Sequence, residues 1–253
     1  MDSFIKCPNL PINNVSLGLI DGRADNSIIS ELKCNGIDVI TTDSCEDLYD
    51  AVAGHPDMFI VHAGGNIIIS APNAPLNTID KLIENGFHII KGQKAIMSKY
   101  PENIAYNVAR IENYAICNVK YTDKVLLKYL YENDIKLIDI NQGYAKCSLC
   151  IAGRGVIITS DEGVYRTLAK HDFDILKISQ GNIELKGLNY GFIGGSSGLI
   201  SNKTLAFTGD IKKHPDFPKI DKFLGQRGIK IKILGAQKLT DVGTFIPLKE
   251  YCI

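Results

Sequence analysis

A unit of two short strands, a helix and a third strand recurs along the chain, and such self-similarity restricts the fold more than any single motif can. Five apolar runs each follow a helix-like stretch: GIDVI from Gly36, GFHII from Gly86, DIKLI from Asp134, DFDIL from Asp172 and GIKIK from Gly228. Before them, apolar residues recur at helical spacing: Ile28, Ile29 and Leu32; Ile79, Leu82 and Ile83; Val125, Leu126, Tyr129 and Leu130; Val164 and Leu168; Ile220, Phe223 and Leu224. Each helix therefore has one stripe to bury. Asp25, Asn77, Thr122, Ser160 and Asp216 stand where a side chain would accept from the first free backbone N–H groups. Gly36, Gly86 and Gly228 stand where a left-handed residue would end a helix.

Paired strands with turn residues between them precede four of these helices: DMFIVHAGGNIIIS, NIAYNVARIENYAICN, YAKCSLCIAGRGVIITS and YGFIGGSSGLISNKTLAFTG. The first helix lacks a hairpin of its own, but the N-terminal VSLGLI and the C-terminal DVGTFIPL supply two strands for it. Joining the chain ends in one sheet closes a ring and leaves no long open edge. The expected fold is α/β: a five-bladed propeller of strand-strand-helix-strand units closed by the N- and C-terminal strands. One domain over 1–253 is expected, with units at 1–56 plus 240–253, 57–93, 100–142, 143–181 and 190–235.

Composition narrows the function classes. The 28 basic and 28 acidic residues cancel without long runs of one sign, so a nucleic-acid surface is not expected. The N-terminal MDSFIKCPNLPINN has no signal-peptide pattern, and no stretch approaches the ~18 apolar residues of a membrane span, so the expectation is a cytoplasmic protein without membrane contact. Seven scattered cysteines are an odd set, expected to be reduced, and no cofactor is implied. The pattern sets no oligomeric state.

The ring of five units, with HAGGNIIIS at 62–70 and GGSSGLISNKTLAFTG at 194–209, resembles the pentein fold of the guanidino-group-modifying enzymes. The stretches GYAKCSLC, YGFIGGSSG and TGDIKKHPDF are most similar to a bacterial family of that fold without an assigned activity. The resemblance implies a central pocket. In catalytic penteins a cysteine on the C-terminal strand attacks a guanidinium carbon, a histidine moves protons and carboxylates grip the cation. That cysteine position falls here near Val242, Gly243 or Thr244, and Cys252 lies beyond the strand.

The spacing of Cys147 and Cys150 suits a redox pair or half a zinc site. No helix is expected after Cys147, and residues three apart on a strand point to opposite faces, which disfavours both and leaves no metal site expected. Cys150 is assigned to the core. Cys147 is either a second core thiol or a displaced nucleophile, with His214 or His62 as base and Asp216 or Glu184 as electrostatic partner. Such a nucleophile requires a thiol held below its ordinary pKa. His62, Gly64, Gly65 and Asn66 form one candidate ligand-binding group, and Gly194, Gly195 and Ser196 a second, with Glu184 and Asp241 as further candidates. For Asp216, capping the last helix is the competing assignment. The functional expectation is binding of a small guanidino or amidino molecule in the central pocket. A thiol hydrolase acting on non-peptide C–N bonds, or an amidinotransferase, using Cys147 is one alternative, and a non-catalytic protein-binding scaffold is another.

Overall fold

The computed structural model describes residues 1–252. The chain opens with β1 (Asp2–Phe4), β2 (Val15–Asp21), α1 (Asn26–Cys34) and β3 (Asp38–Thr42). The second unit is α2 (Pro56–Phe59), β4 (Ile60–Gly64), β5 (Ile67–Ser70), α3 (Leu76–Glu84) and β6 (His88–Lys91). The third is β7 (Ala109–Ile111), β8 (Tyr114–Cys117), α4 (Lys124–Glu132) and β9 (Lys136–Asp139). The fourth is α5 (Ala145–Ser148), β10 (Cys150–Gly153), β11 (Val156–Thr159), α6 (Glu162–Leu168) and β12 (Asp174–Lys177). The fifth is β13 (Ser197–Ser201), β14 (Thr204–Phe207), α7 (Phe217–Gly225) and β15 (Lys230–Ile233), and β16 (Ile246–Tyr251) ends the chain.

Each unit is one small sheet in which the first strand pairs antiparallel with the second, and the second pairs parallel with the third across the helix. A parallel pair needs a crossover long enough to hold a helix, which the apolar stripe of each helix supplies. In the first sheet β16 serves as the first strand: it pairs antiparallel with β2, β1 covers its other edge, and β3 follows in the order β1-β16-β2-β3. The chain ends thus share one sheet, as VSLGLI and DVGTFIPL indicate. The first strands lie against one another, β10 on β13 and β13 on β16.

The helices pack as their spacing requires. Leu32, Leu82, Leu130, Leu168 and Leu224 are each fully buried, one per long helix, and each contributes roughly 1.5–3 kcal/mol by leaving water. Helix ends use the left-handed backbone at Gly36, Gly86 and Gly228, and at Asp134 (φ 56°) in the third unit, where no glycine stands.

Several starts differ from the sequence expectation by a residue or two. Asp123 and Asp161, rather than Thr122 and Ser160, cap α4 and α6, because a carboxylate reaches two residues on to the backbone N–H of Val125 and three on to that of Val164. The N-cap of α3 is Pro75, and Asn77 donates instead to Asp43. Asp216 occupies the N-cap position of α7, yet its side chain does not cap the helix: one oxygen accepts from the Ser179 N–H and hydroxyl, each at 2.6 Å. Among the described residues no helix is long and apolar enough to cross a membrane.

Candidate functional site

The five units meet through residues just ahead of their first strands. Asp57 precedes the strand that starts at Ile60, Asn107 that at Ala109, Cys147 that at Cys150, Gly194 that at Ser197 and Thr244 that at Ile246. Cys147 Sγ lies 3.0 Å from Asp57 Oδ2, and the Asn107 side-chain amide donates to the same sulfur at 3.0 Å. The Thr244 hydroxyl donates to the Gly194 carbonyl at 2.8 Å and accepts from Lys146 Nζ at 3.0 Å. Asp57 Oδ2 stands 3.4 Å from that hydroxyl, so each unit contributes one member to a connected cluster.

Cys147 is not on a strand, as the sequence pattern suggests, but in the short helical turn α5. Asn107 Oδ1 accepts from the backbone N–H of Lys146 at 2.7 Å and of Cys147 at 3.3 Å, and Ser148 Oγ donates to the Ala145 carbonyl at 3.0 Å. These bonds fold the segment into a turn before the strand begins. Cys150 does lie in the core, fully buried among apolar side chains.

Burial dominates the electrostatics. It lifts the Asp57 carboxyl to about 6, against the opposing field of His55 and the hydrogen bond from Cys147. It also raises the Cys147 thiol well above its ordinary value, and the nearby charges of Asp57 and Asp241 push in the same direction. Burial lowers the Lys146 ammonium. A nucleophile requires a depressed thiol pKa; this environment does the reverse, because burial and the charges of Asp57 and Asp241 all disfavour the thiolate. At neutral pH the thiol keeps its proton and donates it to Asp57.

Thr244 holds φ at 79°, a left-handed conformation uncommon for a β-branched side chain. Its backbone N–H donates to the Gly195 carbonyl at 2.8 Å, which with the two hydroxyl contacts fixes the residue in place. Thr244 is the residue that the C-terminal segment brings to the cluster.

Beside the cluster opens a cavity of about 230 Å³, bordered by Asp21, Arg23, His55 and Asp241. His55 stands between two buried carboxylates, its Nε2 3.8 Å from Asp21 and its Nδ1 3.8 Å from Asp241. Neither distance is a hydrogen bond, and Nδ1 has no hydrogen-bond partner among the described residues. Asp21 is engaged by the Arg23 guanidinium at 2.7 Å. Asp241 is anchored by the backbone N–H groups of Phe192 at 2.8 Å and Gly243 at 3.0 Å. Gly191 and Gly195 back onto its carboxylate closely enough that a Cβ at either would overlap it.

The residues singled out from the sequence fall into separate places. Cys147, Gly194 and Gly195 lie at the cluster, Asp241 lies in the adjoining cavity, and Ser196 is buried with its hydroxyl on the Ile193 carbonyl. His214 and Glu184 share a groove of about 830 Å³, where Glu184 pairs with Lys238 at 3.1 Å. His214 Nδ1 accepts from the Asp216 backbone N–H, and Asp216 pairs with Lys219 at 2.7 Å, so neither residue's hydrogen bonds reach Cys147. His62 is buried with Nε2 2.9 Å from the Gly65 carbonyl, and Gly64, Gly65 and Asn66 form the turn that follows it. Sequence reasoning missed Asp21, His55, Asp57 and Asn107. A signal for two of them was present, since His-Pro-Asp occurs at 55–57 as well as at 214–216.

The sequence pattern of a family of unknown function, DUF6873, matches residues 19–246. No curated protein matches the chain in sequence. Among solved structures, the inosamine-phosphate amidinotransferase StrB1 of Streptomyces griseus is similar at a TM-score of 0.63 and 10% identity, over 99% of this chain and 98% of that one. SxtG, an amidinotransferase of the saxitoxin biosynthetic pathway of Microseira wollei, is similar at 0.60 and 12%, over 92% and 91%. Agmatine deiminase of C. jejuni follows at 0.55 and 10%, over 92% and 90%. At these identities the likeness establishes the fold, which is the pentein fold.

Proposed function

The chain belongs to the DUF6873 family, and we propose that it binds a small guanidino or amidino cation in the cavity of Asp21, His55 and Asp241. The observation that carries this reading is Asp241: a carboxylate 4% exposed, held rigid by two backbone donors, with no Lys or Arg paired to it among the described residues. An ionised carboxylate accepts more hydrogen bonds than these two, and a buried one is stabilised by a cation that brings matching donors. A planar guanidinium or amidinium presents two parallel N–H groups to one carboxylate. The protein supplies its own example, since the Arg23 guanidinium lies on Asp21 in the same cavity. The similar structures include amidinotransferases and an agmatine deiminase, which agrees with this ligand class.

Isothermal titration with guanidinium, arginine and agmatine tests it. Saturable binding of at least one is expected, weakened about tenfold or more in Asp241→Asn, the loss of one charge-assisted contact. Binding of none at millimolar concentration, or equal binding to the variant, would end the proposal.

A second reading, a thiol hydrolase or transferase, draws on the 3.0 Å contact between Cys147 and Asp57. There Asp57 would take the thiol proton and the thiolate would attack the cationic carbon, the C=N pair moving onto nitrogen; Asp57 would return the proton to the departing amine as its C–N bond breaks. Alkylation separates the two. Binding without catalysis expects Cys147 to react with iodoacetamide at neutral pH far more slowly than the exposed Cys34 and Cys252. A Cys147 that outpaces both would favour the enzyme.

A further inference from the structure

The first strands run from the cluster toward the hairpin turns, and at the hairpin end lies a second cavity, of about 610 Å³. Its charged lining consists of Lys6, Arg110, Arg154 and Glu112. Glu112 stands 3.4 Å from Arg154, and among the described residues Lys6 and Arg110 have no carboxylate partner.

Arg110, in the middle of β7, is 4% exposed. Its Nε donates to the Tyr114 carbonyl at 3.3 Å and its Nη1 to the Ala63 carbonyl at 3.0 Å. A guanidinium has five N–H donors, and Nη2 finds no acceptor among the described residues. Burial lowers the pKa of this side chain, as expected for a cation taken out of water without a counter-charge. Buried charges in proteins are normally paired, and removing one from water without a partner is costly. The thiol of Cys7, on the same wall, is pushed up by burial and supplies no negative charge at neutral pH.

We propose that this cavity is a binding site for a small oxyanion, a phosphate or carboxylate group, held by the free edge of the Arg110 guanidinium and by Lys6 and Arg154. The rigid fork of Arg110 matches two oxygens of such a group, and the exposed Lys6 and Arg154 add charge at the rim. The turn at Gly64 belongs to the same wall. Its φ of 123° and its contact with the Lys6 carbonyl, 2.8 Å from the place of a Cβ, bring the N-terminal segment against the hairpin and set Lys6 over the opening. A void of about 10 Å³ is bordered by Arg110 and His62 together with Asp57 and Lys146, so the site adjoins the central cluster through the interior.

The test titrates inorganic phosphate and, separately, succinate into the full chain at constant ionic strength set with chloride. Saturable binding of at least one is expected, and the tighter of the two identifies the group recognised. Lys6→Ala with Arg154→Ala removes only exposed side chains and is expected to weaken binding about tenfold or more. Lys120→Ala with Lys124→Ala, exposed and outside the cavity, is expected to leave it unchanged. Arg110→Gln is expected to abolish binding; should that variant fail to fold, the exposed pair decides. The proposal is overturned if neither anion binds saturably, or if affinity falls equally in the two lysine- and arginine-depleted pairs, which would make it general surface charge.

Discussion

The tripeptide His-Pro-Asp occurs twice in this chain, and the two copies meet opposite fates. At 55–57 it leads into the first strand of the second unit, and both polar side chains turn into the molecule: His55 between two carboxylates, Asp57 against the thiol of Cys147. At 214–216 it leads into α7. There Asp216 pairs with Lys219 and Ser179, and His214 bonds back to the Asp216 N–H. The chemistry of the motif is therefore set by where its unit places it. Ahead of a first strand the chain points to the centre of the ring; ahead of the helix it lies on the periphery.

The largest consequence is opposite pH dependence from the same residue type. Asp57 has a folded-state pKa of about 6 against an ordinary 3.8, so its contribution to stability is fully present below pH ~4 and is lost as pH rises through about 6. The difference corresponds to roughly 3 kcal/mol. Burial lowers His62 to about 4, which makes stability rise over the same range and offsets the Asp57 decline in the parent, so Asp57→Asn is expected to gain in urea midpoint relative to the parent between pH 4 and pH 7. A parent and variant that share the same slope would mean that Asp57 is not desolvated in the folded state, and the contrast between the two motifs would collapse.

Much of the fold was legible because repetition is a low-resolution property. The apolar stripes ending at Leu130 or Leu168 and the turns at Gly64 and Gly155 each depend on a few neighbours in sequence, so local pattern suffices. Even the sharing of one sheet by the two chain ends followed from counting strands. The candidate site was less legible. The sequence leaves Cys147 either a second core thiol or a displaced nucleophile on a strand; the segment is a turn, because the bonds that fold α5 come from Asn107 in another unit. Asp57 and Asp241 come near the same sulfur from positions about 90 residues away on either side, and no local pattern encodes that approach. His214 and Asp216 stand among the sequence candidates and His55 and Asp57 do not, although both pairs read His-Pro-Asp: identical letters carry no information about which copy faces inward. The usable signal was register, since Asp57, Asn107, Cys147, Gly194 and Thr244 all stand just ahead of a first strand.

The peripheral copy sharpens the comparison with a smaller effect of opposite sign. Hydrogen bonds from Lys219 and Ser179 hold the Asp216 carboxyl well below the ordinary carboxylate range. Its contribution is present above the unfolded pKa of about 4 and is lost as pH falls through the lower folded value. Asp216→Asn is therefore expected to lower stability at neutral pH and to reduce the loss seen on acidification below pH ~4, the side on which Asp57→Asn has no effect. Lys219→Met separates the two partners of that carboxyl. The Lys219 side chain is 67% exposed, and an exposed ion pair contributes about 1 kcal/mol or less, weakened further by salt. Ser179 offers both its N–H and its hydroxyl at 2.6 Å, so most of the acid-side effect is expected to survive in Lys219→Met and to be lost in Asp216→Asn. Thermal midpoints of the three proteins at pH 3 and pH 7, in low and high salt, decide it: a Lys219→Met profile as flat as that of Asp216→Asn would assign the effect to the ion pair. The peripheral motif would then be only a surface charge, instead of the anchor that ties the Ser179 segment to the start of α7.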